Sequence, residues 1–174
     1  MASCLVEICG LRPAAAYLHV FQGLRTLALQ MQGALQMKKK DDLRSIYCWK
    51  FVLALEAWER VLSTHSGSSP ELKPLVYPLC QLLTATSRLV GSARYFPLRL
   101  RCVRVLQRLS NATGCYIPLS HVILEVFQFS GLSKPHKGQE RQRLALENML
   151  RVPKPAVDSK VCHFVLYRYL LCGT

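Results

Sequence analysis

The stretch P-A-A-A-Y-L-H-V-F-Q-G-L-R-T-L-A-L-Q-M-Q-G-A-L-Q-M-K-K-K-D-D, Pro13 to Asp42, decides the fold class. Pro13 suits a first helical position, because its fixed φ is already helical and its missing N–H has no partner to lose there. Behind it Tyr17, Phe21, Leu24, Ala28, Met31 and Leu35 recur at steps of four and three, the spacing of one helical face. Lys38, Lys39 and Lys40 close the helix where cations suit the negative end of its dipole, and Asp41 or Asp42 is placed to cap the next one. So short a turn predicts an antiparallel helix pair.

From Leu43 to Leu62 apolar residues fall on nearly every side (Ile46, Trp49, Phe51, Leu55, Trp58), which predicts one continuous helix buried between neighbours. The polar run S-T-H-S-G-S-S-P, Ser63 to Pro70, is a turn. A third helix is expected from about Glu71 to Val90, with Pro78 kinking it or delaying its start. Gly91 and Ser92 break it, and Pro97 opens a fourth to about Ser110. Asn111 to Gly114 breaks again before a fifth helix from Pro118 through Phe129. No run of alternating strands bounded by hairpin turns occurs. The expectation is an all-α chain of antiparallel helix pairs, a HEAT- or armadillo-like α-solenoid segment.

Four regions follow: an N-terminal extension at 1–12, a helical-repeat core at 13–130, a basic linker at 131–142 (S-G-L-S-K-P-H-K-G-Q lies across its start), and a C-terminal helical segment at 143–174. The 174 residues suffice for one domain with a real core. At 51% hydrophobic the chain is not of the disordered class. Its charged fraction is 19%, below the roughly 25% of an average domain, which points to apolar surface meant for contact. The eight cysteines show no Cys-x-x-Cys pair and mostly lie in apolar periodic segments, so they read as buried reduced thiols of a reducing compartment. Neither a signal peptide nor a membrane span is expected.

Catalytic chemistry has few candidates. Glu56 pairs with Arg60 at i+4, and Glu59 reads as a carboxylate on a solvated edge one turn away. His19, His65, His121, His136 and His163 have no metal-ligand spacing, and no phosphate-binding glycine loop or nucleophile elbow occurs. No catalytic residue, cofactor, metal or small-molecule substrate is expected.

The charge speaks more clearly. Lys plus Arg number 23 against 10 Asp plus Glu, a net +13, which draws polyanions or acidic proteins. Between Glu71 and Glu125 no acidic residue occurs, while Lys73, Arg88, Arg94, Arg99, Arg101, Arg104 and Arg108 do. At about 100° per residue, Arg94, Arg101, Arg104 and Arg108 share one stripe beside an apolar arc of Leu98, Cys102, Val105, Leu106 and Leu109. Arginine's planar fork suits phosphate and carboxylate alike, so these residues, with Arg99, are the candidate contacts to RNA or an acidic partner. The block Ala93-Arg94-Tyr95-Phe96-Pro97-Leu98-Arg99 also has a structural reading, as a helix start with its aromatics packed inside and Arg94 capping a neighbour.

That A-R-Y-F-P-L-R block resembles the nucleolar complex protein 2 family. So do P-L-V-Y-P-L-C-Q-L-L (Pro74 to Leu83), L-S-N-A-T-G-C-Y-I-P-L (Leu109 to Leu119), K-K-K-D-D-L-R-S-I-Y-C-W-K-F (Lys38 to Phe51) and W-E-R-V-L-S (Trp58 to Ser63). The resemblance runs from about Ala16 to Gln128 and is that of a partial or truncated member, since family members are several times longer. It implies a non-catalytic assembly factor of the large (60S) ribosomal subunit, acting in nucleolus and nucleoplasm on pre-60S particles and rRNA processing with other nucleolar complex proteins. The competing reading of the same basic surface is a nuclear module that binds histones or chromatin.

Overall fold

A computed structural model describes residues 2–37, 40–89, 91–127 and 148–153, and every regular element among them is helical. The order is α1 (Ala2–Leu11), α2 (Pro13–Met37), α3 (Lys40–Ile46), α4 (Trp49–His65), a 3-10 turn (Lys73–Leu75), α5 (Val76–Arg88), a second 3-10 turn (Ala93–Tyr95), α6 (Phe96–Thr113) and α7 (Ser120–Phe127). The expected all-α class holds. The expected linker at 131–142 lies outside the described residues, as does all of the C-terminal segment except 148–153.

Residues 2–11, read from sequence as an extension, form α1. Its partner is distant in sequence: His65 Nε2 lies 2.8 Å from the Val6 carbonyl oxygen, and α1 packs on both α2 and α4. Gly10 admits the contact, since a Cβ there would stand 2.7 Å from His65 Cε1.

On α2 the buried face is Ala16, Val20, Leu24, Leu27, Met31 and Ala34. It shares only Leu24 and Met31 with the face expected from spacing. At about 100° per residue the two faces differ by roughly 65° of rotation. Phe21 and Leu35 are exposed, and Phe21 stacks on Tyr17 with ring centroids 6.1 Å apart. Two apolar stripes compete on this helix, and contact with α3 and α4 selects between them.

The continuous helix expected from Leu43 to Leu62 is two helices. The chain breaks at Tyr47 and Cys48, where Cys48 is extended (φ −116°, ψ 154°). In an unbroken helix Ile46 would lie about 180° from Leu55. With the break, both are buried, Ile46 at 0% and Leu55 at 1% exposure.

Proline marks the later starts. Pro78 stands in the first turn of α5, where it costs no intrahelical hydrogen bond, so it delays the helix and does not kink it. Pro97 is the second residue of α6. That helix runs to Thr113, past the expected stop, and ends where Gly114 takes φ +67°, a left-handed conformation that glycine adopts without steric cost.

The described residues cluster into two compact units. One draws on Met1–Thr86 and Val105–Ile117, the other on Ser87–Arg104 and Pro118–Thr174. In the first, α1 to α4 pack on one another over a core that includes Val20, Leu24, Phe51 and Leu62. In the second, Phe96, Leu98, Leu100 and Val103 of α6 are buried, as are Val122 of α7 and Leu150 and Val152 further on.

Candidate functional site

The A-R-Y-F-P-L-R block lies in the second unit and is largely interior. Ala93, Phe96, Pro97, Leu98 and Arg99 are buried, and Arg94 and Tyr95 are half-buried. Arg94 meets Val152 twice: its Nε donates to the Val152 carbonyl oxygen at 3.2 Å, and its own carbonyl accepts from the Val152 N–H at 2.7 Å. The 3-10 turn thereby holds the segment around Val152, which is itself 1% exposed.

Arg99 is 5% exposed. Its Nη1 lies 3.3 Å from Glu125 Oε2 on α7, and its guanidinium carbon sits 6.0 Å from the centre of the Phe96 ring one turn back. Both interactions compensate the cost of placing a cation among apolar neighbours. Arg101 and Arg104, like Arg94, are half-buried.

Arg108 belongs to the first unit, where its Nη2 lies 3.0 Å from Glu59 Oε2 on α4. The Glu59 side chain is 2% exposed, whereas that of Arg108 is half-exposed. Ser63 Oγ, one turn on, donates to Glu59 Oε1 at 2.8 Å. Glu59 is therefore no edge carboxylate but a buried anion, neutralised from α6, and Glu56 is buried too. The sequence carried a signal for this: Glu59 falls within about 60° of Val52, Leu55 and Leu62 on the helical wheel. The five arginines are thus not one uniform edge. Arg94, Arg99 and Arg108 each anchor a second segment of their own unit.

Among the described residues no group of three or more His, Cys, Asp or Glu side chains is placed to hold a metal ion, and no helix is long and apolar enough to cross a membrane. Of the six described cysteines Cys9 and Cys102 are buried, Cys48 and Cys80 half-buried, and Cys4 and Cys115 exposed. The expectation of uniformly buried thiols is corrected at those four positions. All six are free thiols. Burial, with a smaller contribution from neighbouring Cys115, pushes the Cys80 thiol up to about 11; burial also raises Cys9.

Comparison with known proteins agrees with the sequence resemblance. The sequence model of the Noc2p family matches residues 1–171. Nucleolar complex-associated protein 2 of Arabidopsis thaliana is 41% identical over 160 residues, covering 92% of this chain and 21% of that protein. Nucleolar complex protein 2 of Drosophila melanogaster is 34% identical over 154 residues, 88% of this chain and 20% of its own length. Protein REBELOTE of Arabidopsis thaliana is 25% identical over 156 residues. The chain spans about a fifth of the length of the first two of these relatives. With the family match running over almost every residue, the chain belongs to the Noc2p family.

Proposed function

We propose that this chain is a non-catalytic helical scaffold of large-subunit ribosome assembly, acting in the nucleolus and nucleoplasm and binding other nucleolar complex proteins and pre-ribosomal particles. The observation that carries this is the match of about nine-tenths of the chain to proteins named for the nucleolar complex. An all-helical build supports it, and we assign the chain as a HEAT- or armadillo-like helical-repeat segment in which α1, packed on α2 and α4, joins the core read from sequence at 13–130. The interior carboxylates Glu56 and Glu59 also favour a scaffold, since a buried, ion-paired Glu59 is placed to hold helices together.

For contact with pre-60S RNA or acidic protein, we assign the stripe Arg94, Arg101, Arg104 and Arg108, of which Arg108 is the most exposed. The test is gradient sedimentation of nuclear extract containing tagged chain, with copurifying RNA and protein identified fraction by fraction. Cosedimentation with large-subunit precursors, weakened by Arg101→Glu with Arg104→Glu and falling steeply with salt, is the expected result. Migration as free protein at all salt concentrations sinks the proposal.

A further inference from the structure

Burial alternates along the segment that Arg94 holds. Leu150 and Val152 are 7% and 1% exposed, while Arg151 between them and Pro153 after them are open to solvent. The Val152 N–H that donates to the Arg94 carbonyl at 2.7 Å belongs to the peptide bond that follows Arg151. Standard backbone dimensions then put the Cα atoms of Arg94 and Arg151 within about 8 Å of each other. Two arginines are thereby fastened side by side. Arg94 commits its Nε to the Val152 carbonyl, and among the described residues neither its Nη groups nor the Arg151 guanidinium has a carboxylate partner.

The rest of the unit does not supply the missing charge. Among its described residues stand six arginines, Arg88, Arg94, Arg99, Arg101, Arg104 and Arg151, and one carboxylate, Glu125, which Arg99 takes. Over the full sequence of its ranges, Ser87–Arg104 and Pro118–Thr174, Lys and Arg number 13 against four Asp and Glu. Like charges held close together repel, and an anion seated between them removes the cost.

The distribution of apolar surface favours one kind of anion. A protein partner needs an apolar, water-excluding centre to its interface. The exposed large apolar side chains, Leu11, Leu18, Leu29, Leu53 and Tyr77 among them, belong to the first unit, and among the described side chains of the second only Leu124 is of that kind. A nucleic-acid strand needs no such centre, because cations on its phosphates gain affinity by releasing counterions. Arginine's planar fork also meets a phosphate through two parallel hydrogen bonds.

We propose that Arg94 and Arg151 form a clamp for the phosphate backbone of a nucleic-acid strand, RNA under the assembly role above, and that the clamp is assembled by the docking of residues 148–153 on the 3-10 turn. Val152 is a positioning residue: it touches no phosphate but sets where Arg151 stands. The clamp rests on the reading of the arginine stripe as a contact surface, yet Arg151 lies outside that stripe, so the two can fail separately.

The test uses the whole chain and fluorescence anisotropy across a range of salt concentrations. The probes are a labelled single-stranded uridine RNA of about 20 nucleotides, a DNA duplex of the same length and a polyglutamate of the same length. Arg151→Gln is expected to weaken RNA binding about three- to tenfold, with Tm unchanged, and to lower the salt slope by about 0.7, the share of one phosphate contact on a single strand. Arg25→Gln removes the same charge from an exposed position of α2 and should weaken binding less than about twofold. Val152→Pro keeps every charge but removes the N–H that Arg94 receives, so it should weaken binding as Arg151→Gln does, and the double variant no further. Equal losses in Arg151→Gln and Arg25→Gln would mean general attraction to a basic chain and overturn the clamp. Full additivity in the double variant overturns the positioning by Val152, and should Val152→Pro not fold, the comparison of Arg151→Gln with Arg25→Gln decides alone. Polyglutamate bound as tightly as RNA, and weakened as much by Arg151→Gln, overturns the clamp in favour of an acidic protein. Tighter binding of the duplex than of the RNA overturns RNA as the strand. Loss of RNA binding in Arg101→Glu with Arg104→Glu, but not in Arg151→Gln, overturns the clamp and leaves the stripe standing.

Discussion

Glu59 Oε2 lies 3.0 Å from Arg108 Nη2, so a carboxylate in the interior of α4 is neutralised by a guanidinium that reaches it from the C-terminal half of α6. The pair is unequal in exposure, and that sets the order of its variants. Arg108→Met strands the charge of Glu59 and should cost about 2–3 kcal/mol, less than a fully buried pair because Arg108 is half in water. Glu59→Gln leaves Arg108 free to turn to solvent and keeps an acceptor for Ser63, so it should cost about 1 kcal/mol. Urea melts of the two variants check this, and the reverse order would refute it.

Gly23 and Gly33 should respond oppositely to alanine. Gly23→Ala drives a methyl into the Trp58 ring and should destabilise by about 1–3 kcal/mol. Gly33→Ala meets no neighbour and removes a flexible residue from a helix interior, so it should stabilise by up to about 1 kcal/mol. Thermal melts of the two side by side decide the matter.

Arg99 and Glu125 also differ in exposure, 7% against 43% for the side chains. Arg99→Ala removes a buried stem and the contact with Phe96 as well as the charge, with an expected loss of about 2–3 kcal/mol. Glu125→Gln should cost under about 1 kcal/mol. Equal losses would show that the ion pair, not the packing of Arg99, is what matters at this position.

Thiol alkylation of the folded chain, read out by peptide mass mapping, should mark Cys4 and Cys115 first among the six described cysteines. With its thiol held at about 11, Cys80 carries only about 0.1% thiolate at pH 8. Its rate should climb about tenfold per pH unit up to that value. The raised value also makes the neutral thiol the form the fold prefers, so the contribution of Cys80 to stability is full below the ordinary value of 9.0 and declines as pH approaches 11. Cys80 reacting as fast as Cys115 at pH 8 would contradict its burial.

Local chemistry was legible in the sequence where it acts alone. Pro97 sits at the start of α6, and the arc Leu98, Cys102, Val105, Leu106 and Leu109 is buried as its spacing requires. What escaped depends on partners far along the chain. Spacing alone leaves the face of α2 open because two apolar stripes overlap at Leu24 and Met31, and only the packed helices choose between them. The break at Tyr47 and Cys48 has neither glycine nor proline to announce it, and arises because Ile46 and Leu55 both need the interior. Glu59 shares its helical face with Val52, Leu55 and Leu62, but its partner Arg108 is 49 residues away, and no local spacing reveals that pairing. Arg99 differs from the arginine stripe in lying on the wheel between Val103 and Leu106, which are buried with it.

The contact of His65 with the Val6 carbonyl joins positions 59 residues apart. During synthesis, at ~5–20 residues per second, α1 is complete some ~3–11 s before the end of α4 exists to receive it. Through that interval its Cys9, buried in the finished fold, has no α4 to cover it. The first of the described helices is thus without its α4 contact until three further helices have been made.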